Sequence, residues 1–383
     1  MANLIDRPSG RYDTLVVGAG FAGAVMAERL ATQLDQRVLV IDRRPHIGGN
    51  AFDELDDAGV LVHRYGPHIF HTQSEKVFDY LSRFTEWRPY EHRVRAVVGD
   101  RSVTMPICRT TVNELTGLSL STEAEMAAYL EGCAEPVGEV RTSEDAVVSK
   151  VGRTLYEQLF RGYTRKQWRR DPSELDASVC GRLPVRLNED DRYFTDRFQQ
   201  MPLAGYTALF ERLLAHPGIE VALSTDSAEV IGAVEHDHLV YTGPIDGFFG
   251  YRFGHLPYRS LRWELHSEPT PDRSLLQPVG SMNYADETVP YTRITEYRHL
   301  TGQVHDRTTL AVEYPCSEGD PYYPIPTVES GELYKRYRAL AAEQSDVTFV
   351  GRLARYQYLN IDQVVGQALA TFQRHADRSS IAA

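Results

Sequence analysis

A glycine-rich turn between two apolar runs constrains the fold more than any other feature of the sequence. Residues 12–17 are rich in β-forming side chains, residues 18–23 are GAGFAG, the pattern from 22 to 34 is helical, and RVLVID at 37–42 is a second β-like run. This order predicts a βαβ unit that binds a dinucleotide. In such a unit the first glycine allows a tight turn, the second lets the backbone approach a pyrophosphate, and the third lets the helix pack closely on the strand.

Two further patterns favour FAD over a nicotinamide dinucleotide. Asp42 ends the second run, where a carboxylate can accept hydrogen bonds from ribose hydroxyls. RRPHIGGN follows it, and the Gly48–Gly49 pair allows the backbone to approach the ligand a second time. Many FAD-binding oxidase-like proteins share this D-x5-GG pattern. A carboxylate at position 42 disfavours a 2′-phosphate, so Arg43 does not indicate NADP.

Composition and charge exclude several classes of function. The formal net charge of -12 disfavours nucleic acid as a partner, because phosphate backbones favour a basic surface. The cysteines are too scattered for a zinc site and too few for a disulfide framework, which predicts reduced thiols. No run reaches the roughly 18 apolar residues of a membrane span, and the first residues lack the apolar core of a signal peptide. We therefore expect a cytoplasmic protein without membrane insertion.

The rest of the chain departs from the βαβ pattern. Residues 92–107 alternate apolar and polar side chains around a Gly-Asp turn, as a hairpin does. From about 109 to 180 the pattern is helical, with a capping box at 122–125 and with Val147, Val151, Leu155 and Leu159 on one face. Short β-like runs between 185 and 325 (236–243, 258–267 and 307–315) suggest an antiparallel sheet. Residues 347–352 and the helical pattern after them look like a return to the nucleotide fold.

Three histidines follow the predicted cofactor motif closely. His63, His68 and His71 lie in the run HRYGPHIFHT at 63–72. No adjacent cysteine and no HExxH pair completes a metal site, so no metal is predicted. Their position directly after the dinucleotide motif favours a role facing the cofactor.

A basic and aromatic segment at 160–175 is a candidate for nucleotide binding. Aromatic rings could stack on a base while Arg and Lys bind phosphate, although such a charged run is more often a solvated face. The aromatic residues are Phe160, Tyr163 and Trp168, and the basic ones are Arg161, Arg165, Lys166, Arg169 and Arg170, with Arg182 shortly after. The sequence has no GxSxG elbow, no P-loop and no evident cysteine nucleophile with its own base.

The order of motifs along nearly the whole chain resembles that of the UDP-galactopyranose mutases. The motifs GPHIFHT, GYTRKQW and VPYTRI are more specific than the glycine motif, because flavoproteins in general do not share them. The full series is GAGFAGAV, IDRRPHIGGN, VHRYGPHIFHT, GYTRKQW, PSEL, RLPVR, DDRYF, YTGPID, MNY, VPYTRITE, PYYPI and FVGRL.

The resemblance implies an α/β fold, α+β overall, in three parts. The parts are a discontinuous Rossmann-like FAD-binding domain, a small helical bundle with a mobile active-site loop, and an antiparallel β-sheet domain. The predicted bounds are 1–90, 218–247 and 329–383 for the FAD domain, 109–184 for the bundle, and 91–108, 185–217 and 248–328 for the sheet domain.

The implied activity is an isomerase reaction, the interconversion of UDP-galactopyranose and UDP-galactofuranose without net redox change. Reduced flavin N5 would be the nucleophile at the anomeric carbon, with NAD(P)H or another external reductant supplying the reduced FAD. The alternatives are the same chemistry on another nucleotide sugar (a 6-deoxyhexose, an N-acetylhexosamine, or a dTDP or GDP sugar) and an amine-oxidase-like FAD oxidoreductase. A homodimer stays open, and a cell-surface polysaccharide or a natural-product glycoside is the implied destination of the product.

The resemblance also implies roles for individual residues. Arg182 and Arg293 correspond to a pair that binds the substrate diphosphate, and His68 to a histidine against the flavin. The other implied substrate contacts are Phe160, Tyr163, Thr164, Trp168, Tyr193, Asn283, Tyr314, Tyr358 and His92. The implied FAD contacts are Gly18, Gly20, Phe21, Ala22, Gly23, Asp42, Arg43, Gly49, Asn50, His68, Ile69, Arg352, Leu359, Asn360, Ile361 and Asp362.

The chain departs from the family pattern around two of these tyrosines. Pro315–Cys316 follow Tyr314 where the family commonly has Ser-Arg, and Leu159 stands where an aromatic residue is common. Ala354, Arg355 and Asn360 also differ in the segment around Tyr358. A different sugar or nucleotide therefore stays open.

Overall fold

The computed structural model describes residues 2–6 and 8–382. Its strands are, in chain order, β1 (Asn3–Leu4), β2 (Tyr12–Val17), β3 (Val38–Ile41), β4 (Asp53–Leu55), β5 (Leu61–His63), β6 (Phe70–Thr72), β7 (Trp87–Pro89), β8 (Val94–Val98), β9 (Arg101–Met105), β10 (Phe198–Pro202), β11 (Ile219–Ala222), β12 (His236–Tyr241), β13 (Tyr258–Pro269), β14 (Ser281–Tyr284), β15 (Arg293–Glu296), β16 (Arg307–Cys316), β17 (Tyr323–Pro324) and β18 (Val347–Phe349).

The α-helices are, in chain order, α1 (Phe21–Leu34), α2 (Glu75–Ser82), α3 (Arg109–Thr116), α4 (Glu123–Cys133), α5 (Ser143–Tyr156), α6 (Gly162–Trp168), α7 (Ser178–Gly181), α8 (Gly205–Leu213), α9 (Ser227–Val230), α10 (Ile245–Phe248), α11 (Tyr297–Thr301), α12 (Val328–Ala342) and α13 (Ile361–Ala382). A π-helical turn at Glu157–Arg161 joins α5 to α6. No described helix combines the length and the apolar character that crossing a bilayer requires.

A parallel sheet with the strand order β1-β11-β3-β2-β12-β18 forms the nucleotide-binding part. Its strand β3 is buried along its whole length, as expected for a strand covered on both faces. The predicted βαβ unit is confirmed, since β2, α1 and β3 follow one another and β2 pairs with β3 in parallel. The predicted late strand is confirmed as well, because β18 closes the sheet beside β12.

One sequence-based expectation is wrong in this sheet. The β-like run at 236–243 suggests an antiparallel strand, but β12 pairs in parallel with both β2 and β18. Its apolar end, Leu239 to Tyr241, is buried between the layers of the nucleotide fold. A short apolar run carries no signal for the direction of its partners, which explains the error.

The second large sheet has the order β17-β13-β16-β15-β14-β8-β9. Its pairs are antiparallel except β14–β8, which is parallel. The predicted hairpin is confirmed as β8 and β9, and the other two β-like runs are the long pair β13 and β16. Asn283 on β14 pairs with Arg293 on β15, which pairs in turn with Glu313 on β16. Three polar side chains are thereby aligned across the sheet.

The helical bundle packs on the β8–β9 end of this sheet. Thr122 caps α4 in the predicted capping box with Glu125. Val147, Val151, Leu155 and Leu159 are buried in one cluster with residues of β8 and β9, as their spacing predicts. Gly152 has φ 78° and ψ 173°, which kinks α5 before the π-helical turn. Beyond the π-helical turn, α6 contacts the loop between β14 and β15 through Lys166.

Replacing Gly152 by Ala should destabilise the protein by about 2 to 4 kcal/mol. Its φ is positive, and an added Cβ would lie 2.1 Å from the carbonyl oxygen of Cys133. The matched control is Gly132→Ala in α4, where an added Cβ meets nothing within 4 Å and should be neutral or slightly stabilising. Thermal unfolding of both variants tests this, and equal melting temperatures for Gly152→Ala and the parent protein would contradict it.

Candidate active site

One cavity of about 1320 Å³ lies where the three parts of the molecule meet. Its walls are the carboxyl ends of β2 and β3, one face of the mixed sheet at Asn283, Arg293 and Glu313, and the segment around α7. The carboxyl edge of a parallel sheet is where ligands bind in open α/β folds. The sheet position and the polar walls both identify this cavity as the candidate site.

The nucleotide end of the cavity has a cradle of glycines. A Cβ at Gly18 would lie 2.0 Å from the hydroxyl oxygen of Thr242, and one at Gly49 would lie 3.0 Å from the Cα of Gly20. No side chain caps the N-terminus of α1, so its first amides are available to an anion. Gly23 does not line the cavity. A Cβ there would lie 1.9 Å from the carbonyl oxygen of Gly18, so its place is in the helix-to-strand contact.

Asp42 stands at the rim of this cradle. Its carboxylate accepts hydrogen bonds from the backbone N–H groups of Ala19, at 2.8 Å, and Arg44, at 2.9 Å. Two bonds leave part of the acceptor capacity of a carboxylate free for ribose hydroxyls. The glycine cradle, the free helix end and this acid together fit a dinucleotide such as FAD.

The histidine run contributes to the cavity wall, and it also holds that wall in place through a hydrogen bond between two of its members. His68 lines the cavity, with Nδ1 2.8 Å from the carbonyl oxygen of Gly66, and its backbone N–H donates to Nδ1 of His63. Burial lowers the pKa of His63 and of His68 to about 3. His71 also lines the cavity, and its Nδ1 lies 2.8 Å from a carboxylate oxygen of Asp196. Among the described residues, no group of three or more His, Cys, Asp and Glu is placed to hold a metal.

Two guanidinium groups flank the ring of Tyr358. The guanidinium carbon of Arg182 lies 4.2 Å from the ring centre, and that of Arg352 lies 5.0 Å from it. Burial raises the pKa of Tyr358, but the neighbouring arginines outweigh that effect and the net shift is downward. A tyrosine whose proton is easier to lose is a stronger hydrogen-bond donor, which suits an anionic ligand.

Arg293 carries another positive charge into the cavity, on the side of the second sheet. Its Nη2 donates to the hydroxyl of Tyr163 at 3.1 Å, and its Nε lies 3.8 Å from a carboxylate oxygen of Glu313. Burial opposes the charge of Arg293, but Glu313 and Tyr163 outweigh it and raise its pKa well above the ordinary value. The side chain of Glu313 is only 1% exposed, and it accepts a hydrogen bond from Thr292.

Several buried polar atoms of the cavity have no hydrogen-bond partner among the residues that the structure describes. They are Oδ1 of Asn283, Nε of Arg293, Nε of Arg352 and Nε1 of Trp263. Nearly all buried polar groups of folded proteins are hydrogen-bonded, so a cluster of unpaired ones in a cavity indicates a polar ligand.

The structure brings most of the predicted site residues into this cavity. The residues of the predicted set that line it are Gly18, Gly20, Phe21, Ala22, Asp42, Arg43, Gly49, Asn50, His68, Ile69, His92, Trp168, Arg182, Tyr193, Asn283, Arg293, Arg352, Tyr358, Leu359, Asn360 and Ile361. Tyr163 contacts the site through its bond to Arg293.

Besides Gly23, four predicted residues are placed elsewhere. Phe160 is buried in the bundle core, and Thr164 lies 3.4 Å from Sγ of Cys180. Asp362 accepts a hydrogen bond from Thr72. Tyr314 is on the opposite face of β16 from Glu313, since neighbouring strand residues point to opposite faces, and its ring lies under the guanidinium of Arg262. These positions do not support direct ligand contacts for the four side chains.

Sequence reasoning missed several cavity residues. Glu313 is the clearest, and strand alternation with Tyr314 is the signal that could have found it. Trp263 and Tyr323 also line the cavity, and they lie on β13 and β17, which are distant in sequence from the cofactor motifs. The basic residues of 161–170 do not line it, so their grouping in the sequence does not make a phosphate site.

The fold and the cavity define a Rossmann-like dinucleotide-binding protein with a second polar subsite beside the cofactor end. A family model described as an NAD(P)-binding Rossmann-like domain matches residues 16–84, and one described as UDP-galactopyranose mutase matches residues 158–358.

Two relatives match almost the entire chain. A probable UDP-galactopyranose mutase of Klebsiella pneumoniae is 40% identical over 93% of this chain and 93% of its own. A dTDP-fucopyranose mutase of Escherichia coli is 38% identical over 94% of this chain and 97% of its own. The crystal structure of a reduced UDP-galactopyranose mutase superposes with a TM-score of 0.76 at 15% identity, over 96% of this chain and 94% of that one. The protein belongs to the UDP-galactopyranose mutase family, a family of FAD-dependent mutases.

His68 should stay uncharged between about pH 5.5 and 8. Burial is the main reason, and the neighbouring His63 adds to it. A histidine in the unfolded chain has a pKa of about 6.5, so below that pH the unfolded chain binds a proton that the folded chain does not. The stabilisation is full above about pH 6.5 and is lost toward acid pH. In NMR spectra of histidine-labelled protein, the ring signal that is missing from His68→Asn should not titrate in this range. A midpoint near pH 6.5 would contradict the burial argument.

Proposed function

We propose that the protein interconverts UDP-galactopyranose and UDP-galactofuranose without net oxidation. The observation that carries the proposal is the presence of Arg182 and Arg293 in one cavity with the glycine cradle. A cofactor subsite and an anion subsite then share a space large enough for both ligands. Family membership at 40% identity supports the reaction class.

FAD would lie along the cradle. The amides at the start of α1 and the backbone at Gly20 and Gly49 would face its pyrophosphate, and Asp42 would accept from a ribose hydroxyl. His68 and Ile69 would lie against its ring system. When bound and reduced, FAD supplies the nucleophile, its N5 atom, for the anomeric carbon of the sugar.

The protein's own part in the reaction is to hold and stabilise the diphosphate. Arg182 and Arg293 would bind its oxygens and stabilise the negative charge that develops when the C1–O bond breaks. Tyr358 would donate to the same oxygens, helped by its lowered pKa between two arginines. Tyr193, whose ring lies beside that of His92, also lines this region. Among the predicted base contacts, Trp168 is the one that lines the cavity and can stack on the base.

Uncharged histidines suit this arrangement. Burial lowers the pKa of His92, as well as that of His68, to about 3. Neutral rings at the cofactor wall add no positive charge that would compete with the arginines for the diphosphate. They also help to exclude water, which strengthens each charge interaction in the cavity.

A second candidate is the same interconversion on another nucleotide sugar, such as a 6-deoxyhexose, an N-acetylhexosamine, or a dTDP or GDP sugar. The dTDP-fucopyranose mutase is nearly as similar to this chain as the UDP-galactopyranose mutase. Of the departures from the family pattern, Asn360 is in the part of the chain that lines the cavity, whereas Ala354 is packed in a core cluster. Asn360 stands where the family commonly has aspartate, so the cavity edge has one negative charge fewer than the family pattern implies.

The remaining parts of the proposal concern the setting. We propose that the enzyme acts in the cytoplasm, that NAD(P)H or another external donor reduces its FAD, and that it assembles as a homodimer. Its product would serve a cell-surface polysaccharide or a natural-product glycoside. These statements rest on the family resemblance.

Reduced holo-protein should convert UDP-galactopyranose to the furanose form, and oxidised protein should not. The physical reason is that the proposed nucleophile exists only in the reduced flavin. Chromatography of reactions with and without dithionite tests this, on a panel that includes UDP-galactose and dTDP-fucose. Faster turnover of dTDP-fucose would favour the second candidate. Substrate-dependent release of peroxide without isomerisation would indicate an oxidase and contradict both.

Substituting Arg182 or Arg293 by Ala should each remove about 2 to 5 kcal/mol of transition-state stabilisation, seen as a fall in kcat/KM. Each change leaves the diphosphate without one of its two proposed charged partners. Arg262→Ala is the matched control, because Arg262 stacks on Tyr314 at the other face of the sheet and should leave kcat/KM unchanged. Parent-like activity of Arg182→Ala or Arg293→Ala would mean that the diphosphate binds elsewhere.

A further inference from the structure

Lys166 makes an unusual set of contacts outside the cavity. Its Nζ lies 2.8 Å from the carbonyl oxygen of Tyr284, 2.7 Å from that of Asp286, 3.3 Å from that of Val289 and 2.8 Å from that of Tyr291. An ammonium group has three N–H donors, so these four acceptors use all of its capacity. The side chain is therefore fully engaged by one loop, although the sequence had suggested phosphate as its partner.

The loop that surrounds Lys166 connects the two strands that carry the anion subsite. Residues 285–292 join β14 to β15, and Asn283 and Arg293 pair directly across those strands. Two of the carbonyls that Lys166 binds, those of Tyr284 and Tyr291, flank this loop at its two ends. The ammonium group thus binds both ends of the loop that leads into β15, the strand that begins with Arg293.

Helix α6 contacts the same hairpin at four points, through Gly162, Tyr163, Arg165 and Lys166. Tyr163 bonds to Arg293 at 3.1 Å on the cavity side, and Lys166, three residues later, lies on the same helix face. An added Cβ at Gly162 would lie 2.2 Å from the carbonyl oxygen of Ala285, which shows how closely the backbones approach. Arg165 and Glu287 form an ion pair between α6 and the loop, with Nε 3.3 Å from a carboxylate oxygen, and nearly half of each side chain is exposed.

From these contacts we infer that Lys166 is a positioning residue for the diphosphate subsite. Its ammonium group ties the β14–β15 loop to α6 and so holds Arg293 and Tyr163 in register. The inference rests on the proposed function, since it assigns Lys166 an effect on the ligand of Arg293. Burial lowers the pKa of Lys166 to about 8, against the opposing effect of Asp286 and Glu287. The ammonium form that the carbonyls require still predominates at neutral pH.

The test is a double-mutant cycle on UDP binding to FAD-loaded protein, measured by calorimetry. Lys166→Met should weaken UDP binding about 10- to 100-fold, because a misplaced Arg293 loses its contact geometry. In the Arg293→Ala background the same change should have less than about a twofold further effect, because the group that it positions is absent. Arg165→Met is the matched control on the same helix and loop, and it should bind UDP like the parent.

Chemical rescue separates this role from a loss of folding. Propylammonium supplies the atoms that Lys166→Ala removes, and it should restore most of the UDP affinity. Tetramethylammonium has the same charge but no N–H donors, and it should not. Lys166→Arg should also bind UDP weakly, because a planar guanidinium cannot direct its donors to four converging carbonyls. UDP affinities are calculated per flavin-containing protein, so that unfolded protein does not count toward the protein concentration.

The outcomes separate the two proposals. Parent-like UDP affinity in Lys166→Met or Lys166→Arg would overturn the inference. It would also be overturned if the loss of UDP affinity in the double variant equalled the product of the losses in Lys166→Met and Arg293→Ala. In both cases Arg293→Ala would still bind UDP poorly and the proposed function would stand. If Arg293→Ala alone bound UDP like the parent, the proposed diphosphate subsite itself would be wrong.

Discussion

The site depends on one positive charge, that of Arg293, at the boundary between the mixed sheet and the helical bundle. Arg293 projects from β15 into the cavity, where burial would destabilise an isolated guanidinium strongly. Glu313, on the neighbouring strand and in register, supplies the compensating charge. It does so at 3.8 Å from Nε, which has no hydrogen-bond partner within the described part of the chain. The guanidinium is therefore stabilised by the protein but keeps capacity for an external anion.

The two subsites of the cavity use different parts of the polypeptide. At the cofactor end the ligand-facing surface is mainly backbone, because glycines at Gly18, Gly20 and Gly49 leave no side chains in the way. At the anion end it is side chains from three separate segments, represented by Arg182, Arg293 and Tyr358. The backbone cradle would suit a cofactor that stays bound, whereas separate side chains would suit the proposed diphosphate, which must be held while its bond to the sugar breaks and forms.

The sequence predicted the cofactor half of the molecule well, because the signals there are local. The βαβ unit follows from periodicity and glycine spacing within residues 12–42, and the capping box at Thr122 follows from four consecutive residues. The parallel direction of β12 depends on partners far away in the chain, which no local pattern encodes.

The anion half was predicted mainly through the family resemblance. The errors in that prediction also arise from contacts between residues that are far apart in the chain. The face on which Tyr314 lies depends on strand register. The sequence pattern of 160–175 does not show that Phe160 packs in the bundle core or that Lys166 binds the carbonyls of the β14–β15 loop. That Glu313 faces the cavity follows from strand alternation only once the face of Tyr314 is known. Each of these assignments requires knowing which surfaces of distant elements meet, and that information appears only with the tertiary structure.

The account is tested most directly by a crystal structure of the holo-protein with UDP-galactose bound. It predicts diphosphate oxygens within hydrogen-bond distance of both Arg182 and Arg293, with the anomeric carbon directed toward the ring system of the cofactor. A diphosphate bound elsewhere in the cavity, with Arg293 still facing only Glu313 and Tyr163, would contradict it.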